Sequence, residues 1–187
     1  MKNDAPYASI VTQVLEMAKE NLKRNGSLMP VVLFMKDSRI AGVQPITWDT
    51  DAEKWHKYKI IGALLNKSGV DAVIVVSDGA MRMMNNLSKE QVEYINQNLS
   101  TEAPLTLPEG KLGRRECVTV WYFDPSQNLS DLAIQASRYE GTDRKIVFEE
   151  RLDQTTKAEG ATYGGAIRDS VFDGYEHADE LLVEAAS

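Results

Sequence analysis

A chain of 187 residues, 43% hydrophobic and 26% charged, fits one domain with a sizeable core and excludes collagen-like, mucin-like and wholly disordered architectures. The formal net charge is −7, and residues 169–187 hold six acidic side chains (Asp169, Asp173, Glu176, Asp179, Glu180, Glu184) and no Lys or Arg. The rest of the chain is therefore close to neutral and lacks the basic field that drives nucleic-acid binding; its densest basic cluster, Lys111, Arg114 and Arg115, is too small to supply one.

No apolar run approaches the roughly 18 residues needed to span a bilayer, and MKNDAPYAS at the start has no apolar h-region, so a cytoplasmic protein with no membrane partner is expected. Residues 4–25 read as a helix, with Pro6 near its start and Gly26 as its stop. Its buried stripe is Ile10, Val14, Met17 or Ala18, and Leu22, with Lys19 and Lys23 opposite. Residues 29–35 then read as a strand, Lys36 to Arg39 as a turn, and residues 40–48 as a second strand, together a hairpin. Pro45 cannot donate to a ladder, which puts the second strand at an edge or a bulge.

Thr50 and Glu53 form a capping box that opens a helix carrying Trp55, Tyr58, Ile61 and Leu65, stopped by Gly69. The run from Ala72 to Val76 organises the rest: it does not alternate with polar residues, so both its faces should be covered, as in a parallel or mixed sheet flanked by helices. Residues 80–87 are open between a hairpin return and a connector, with Met81, Met83 and Met84 as core filler or a soft binding surface. Ser88 and Gln91 predict a further helix, with Val92, Ile95 and Leu99 inward. Residues 101–116 form the longest irregular connection; the Gly110-Lys111 pair fails as a phosphate loop, because Leu105 and Leu112 stand where Gly and Ser or Thr are needed.

Three strands follow in quick succession, residues 116–123, 132–139 and 145–152, separated by turn chemistry that suits an antiparallel meander. The expected architecture is α+β: a single mixed β-sheet of about six strands, built from the hairpin, a βαβ crossover and the meander, packed with two or three helices. It occupies residues 1–152, followed by a flexible Gly-rich connector at 153–169 and an acidic amphipathic tail at 170–187.

No motif forces a chemistry. Cys117 is alone in an apolar strand with neither His56 nor His177 placed beside it, which makes it a structural residue rather than a nucleophile. The element order is loosely similar to that of deubiquitinase-like metalloprotease domains, but their His-x-His zinc pair is absent. No dinucleotide fingerprint is present, and no cofactor is expected. The leading expectation is a non-enzymatic protein-interaction or regulatory module, in which Phe172, Tyr175, Leu181 and Leu182 of the tail bind the protein's own body, a second copy of it or another protein. The alternative is a divalent-cation-dependent enzyme acting on a phosphorylated small molecule through Asp49, Asp78 and Asp124, brought together at strand ends by the crossover.

Overall fold

The computed structural model describes residues 6–82, 89–90, 106–107, 110–111, 114–142, 145–157 and 165–185. Its centre is one six-stranded antiparallel sheet with helices on both faces. In chain order the elements are α1 (Pro6–Asn25), β1 (Val31–Lys36), β2 (Arg39–Pro45), α2 (Asp51–Lys67), β3 (Ala72–Arg82), β4 (Thr106–Leu107), β5 (Gly110–Lys111), β6 (Arg114–Asp124), β7 (Leu129–Glu140), β8 (Lys145–Lys157), α3 (Gly165–Glu176) and α4 (Ala178–Ala185). The sheet order is β2-β1-β3-β6-β7-β8, while β4 and β5 form a separate two-stranded ladder.

The α+β class, the single six-stranded sheet, the hairpin and the meander follow the sequence expectation. The crossover takes a particular form. β2 and β3 each pair antiparallel with β1, so they run parallel to one another with β1 between them, and no two adjacent strands are parallel. The unalternating run Ala72–Val76 thus reports coverage of both faces rather than strand direction. Ala72, Ile74 and Val76 face the cluster under α1, whereas Val73 and Val75 face the cluster under α2 and α3.

The hairpin turn puts Asp37 and Ser38 both at positive φ (47° and 59°), the paired left-handed geometry that matches strand twist. The Asp37 amide donates to the Asp71 carboxylate at 2.6 Å, so the Asp and Ser of this turn serve backbone geometry. Gly26, at φ 73°, ends α1 and returns its N–H to the Leu22 carbonyl at 2.8 Å.

Three elements depart from their expected limits. The buried face of α1 is Val11, Val14, Leu15, Ala18 and Leu22; Met17 instead faces outward, because α1 lies over β6, β3 and β7 and leaves the β1–β2 end of the sheet uncovered. β8 continues to Lys157, five residues into the stretch read as connector, since its β-branched Thr155 and Thr156 pair with Asp131 and Ser130. The tail forms two helices that break at His177. All but residues 89–90 of the helix expected over 88–99, most of the 101–116 connection, and Met83 and Met84 lie outside the described residues; residues 89–90 are helical. Among the described residues no helix is long and apolar enough to cross a membrane.

Candidate functional site

Because α1 sits toward the middle of the sheet, an apolar groove of about 420 Å³ opens between α1 and the β1–β2 hairpin. One wall is the outward turn of α1, with Val14, Met17, Ala18, Asn21 and Asn25. The floor is Val31 and Leu33 of β1 with Val76 of β3, and the far wall is Ile40 and Val43 of β2. Register explains the second wall. Leu33 pairs with Val43 and Met35 with Ile40, across a bulge that keeps both β2 side chains on the α1 face.

Four of the six large apolar side chains exposed among the described residues converge here: Met17 is 63% exposed, Val43 61%, Met29 59% and Ile40 43%, while Val183 and Tyr139 lie elsewhere. Scattered exposed apolar residues are ordinary, whereas these four rim one groove as a single apolar patch. β2 adds a second feature. Among the described residues it is the terminal strand of the sheet, so one row of its backbone amides and carbonyls has no described strand beside it.

The chemistry of the groove is narrow. Its lining contains no Asp, Glu, Lys, Arg, His, Cys or Tyr, and its polar groups are Asn21, Asn25 and Ser27. It can bury apolar matter and satisfy a few hydrogen bonds, and it places no titratable acid or base beside Ser27.

The carboxylate trio is not brought together. Asp78 sits opposite Val118 and Phe123 opposite Val73, so Asp124, one residue past Phe123, lies at the other end of β3, about 20 Å from Asp78 at ~3.3 Å per residue. The cause is strand direction: β6 runs antiparallel to β3, so their carboxyl ends are at opposite edges. Asp78 and Asp124 each have a local task, and Asp49 is held through its backbone amide. Asp78 accepts from the Leu28 amide at 3.1 Å, fixing the segment after α1. Asp124 accepts from Ser126 at 2.6 Å and the Gln127 amide at 3.1 Å. At the start of α2, Thr50 accepts from the Glu53 amide at 3.1 Å, and Glu53 accepts from the Asp49 amide at 2.8 Å. Among the described residues no group of three or more His, Cys, Asp or Glu side chains is spaced to hold a metal ion.

The tail residues singled out from sequence lie as follows. α3 packs on α2, and with it Val171 enters the core at 0% exposure. Phe172 meets Phe123 edge-on at 6.4 Å, and Tyr175 packs against the same cluster. Leu181 and Leu182 are half-buried on α4, which also lies against α2. Lys59 pairs with Asp173 and Lys67 with Asp179, each at 2.7 Å, so the acidic flank of the tail meets the lysines of α2. Cys117 is buried, and burial together with Glu116 and Asp78 pushes its thiol up to about 11.

Sequence reasoning missed the groove. Two signals pointed toward it: Pro45, which marks β2 as an edge, and the ambiguity between Met17 and Ala18 on α1. The chain matches no family model, no curated protein and no solved structure.

Proposed function

We propose that this chain is a non-enzymatic protein-interaction module whose partner supplies an extended, uncharged, apolar segment. That segment pairs with the outer edge of β2 and lays alternate side chains along Ile40 and Val43 at the rim of the groove. The observation that carries the reading is the continuity of the two surfaces. Ile40 and Val43 belong at once to the edge that no described strand pairs and to the groove wall, so a strand added at the edge would set every second side chain beside Ile40 and Val43, at the rim of the groove.

An extended segment fits this surface better than a helix would, because main-chain hydrogen bonds are on offer along β2. The absence of charge from the groove lining favours an uncharged segment, and the two methionines suit side chains of varied shape.

Selection of displayed random peptides on the intact protein, followed by amide chemical-shift mapping, tests this reading. The expected peptides alternate apolar residues and shift Arg39–Pro45 together with Val14, Met17 and Asn21. Val43→Lys should abolish their binding while leaving the melting temperature within about 2 °C, as befits an exposed substitution. Peptides that map to another face, or that bind Val43→Lys unchanged, overturn it.

A further inference from the structure

On the opposite face of the sheet the loop before α2 and the first turns of that helix bring three aromatic rings together. Trp48 lies 6.1 Å from Tyr58 and Trp55 lies 6.4 Å from it, centroid to centroid, both tilted. Tyr58 is buried behind them and packs against both rings; Trp48 and Trp55 are half-buried and form two walls. Between the walls sits a cation. The Lys54 ammonium is 5.2 Å from the Trp48 centroid and 4.7 Å from that of Trp55, inside cation–π range of both rings.

Local sequence builds this box. Thr50 caps α2, Glu53 holds the Asp49 amide, and Lys57 binds the Thr47 carbonyl, so the segment carrying Trp48 is fixed on both sides. Trp55 and Tyr58 are three residues apart on one helix face. The site therefore combines two helical rings with a loop residue whose segment is hydrogen-bonded to α2 on both sides.

We propose that Trp48, Trp55 and Tyr58 form a recognition box for a trimethylammonium group carried on a lysine side chain of another protein, with Lys54 as its internal stand-in. Lys54 itself shows the box accepts an ammonium on a four-carbon stem. Trimethylation keeps the charge, enlarges the apolar surface facing the rings and removes the N–H groups that hold water, so the methylated group loses less hydration on entering than Lys54 does. A trimethyllysine can then displace Lys54, whose head returns to solvent on its flexible stem. This site is on the other side of the sheet from the groove, and the two readings stand or fall separately.

The test is a titration of the full chain, followed by tryptophan fluorescence and amide shifts, with Nα-acetyl-trimethyllysine amide, the unmethylated counterpart and free choline. Saturable binding of trimethyllysine with shifts at Trp48, Trp55 and Tyr58 is expected. The unmethylated compound should bind about tenfold more weakly, and choline more weakly than trimethyllysine. Lys54→Ala, which empties the box, should tighten trimethyllysine binding by about fivefold or more. Trp48→Phe should weaken it and Trp48→Leu should weaken it further, a graded loss that follows ring electrostatics, with melting curves confirming that both variants fold. No saturable response in Lys54→Ala, equal affinity for the unmethylated compound, or tighter binding of choline would each overturn the proposal.

Discussion

Gly62 of α2 and Gly174 of α3 mark a crossing at which the two helices meet backbone to backbone. A Cβ on Gly62 would collide with the Val171 carbonyl and stand 2.8 Å from the Tyr175 amide nitrogen. A Cβ on Gly174 would collide with the Lys59 carbonyl and stand 2.6 Å from its carbon. Neither glycine is required by an unusual φ; each is required by proximity. In an exposed helix Gly→Ala stabilises by about 1 kcal/mol, so the sign of the effect separates the two situations. Gly174→Ala and Gly62→Ala are each expected to destabilise by about 2–3 kcal/mol, measured by denaturant unfolding. Stabilisation by either would show that α3 does not sit this close to α2.

The junction between α3 and α4 should respond to pH on two sides. The His177 ring Nδ1 lies 2.9 Å from the Asp173 carbonyl, and this bond, then the Asp173 carboxylate with Glu180 and Glu176, raises its pKa above 6.5. The charged ring is favoured in the folded state, so its contribution is full below pH 6.5 and lost as pH rises through the raised value. Asp173 goes the other way: its hydrogen bond to Lys59, and to a lesser degree His177, lowers it below 3.8, so its contribution is lost as pH falls through that lowered value. The junction should be tightest between 3.8 and 6.5. A proton NMR titration should place the His177 midpoint above 6.5, and Asp173→Asn should lower it without removing the whole shift, because the backbone carbonyl remains. A midpoint at or below 6.5 would contradict the geometry.

Cys117 should be inert in the folded protein. Burial first, then the Glu116 and Asp78 charges, pushes its thiol to about 11, and only the thiolate attacks disulfide reagents. An aromatic disulfide reagent at pH 8 is expected to modify it at the rate of opening, rising sharply in denaturant. Stoichiometric labelling within seconds in native buffer would contradict its burial.

The sheet was largely legible because short-range signals set it. Pro45, the Asp37-Ser38 turn, the Thr50–Glu53 cap and the three closely spaced β-rich segments each act within a few residues. What escaped depends on which element covers which. Met17 and Ala18 are adjacent and either could have faced inward; only the placement of α1 over β6 decides for Ala18. The same placement leaves Ile40 and Val43 uncovered, so the groove is a property of tertiary offset. The carboxylate trio failed for a related reason. Spacing put an acid at a strand end in Asp78 and in Asp124, but the direction of β6 decided that these ends are not neighbours. The aromatic box was half visible, since Trp55 and Tyr58 belong to a legible helix face, whereas Trp48 joins them only through the loop geometry.

Removal of the tail tests how far it is part of the core. A chain ending at Gly165 loses Val171, which is fully buried, along with the half-buried Ile167, Phe172 and Tyr175 that pack on Tyr58, Ile61 and Phe123. It also loses the Asn66 bond to the Tyr175 carbonyl at 3.0 Å and the Lys59 and Lys67 ion pairs. The ion pairs are 41–42% exposed on the lysine side and contribute little each. Apolar burial dominates: two buried side chains, Val171 and Ala178, and five half-buried ones, Ile167, Phe172, Tyr175, Leu181 and Leu182, contribute at least about 3 kcal/mol beyond what their ordering costs. For a chain of this length about 2–4 °C accompanies each kcal/mol, so the truncated form should melt about 10 °C lower and bind a dye specific for exposed apolar surface. Supplying residues 166–187 as a separate peptide should restore the melting temperature in a concentration-dependent way, because the peptide binds only the folded body. Phe172→Ala in the full chain should reproduce part of the loss by removing the edge contact with Phe123. An unchanged melting temperature on truncation, with no effect of the peptide, would show that α3 contributes nothing to the fold and that its apolar stripe serves a surface outside this chain.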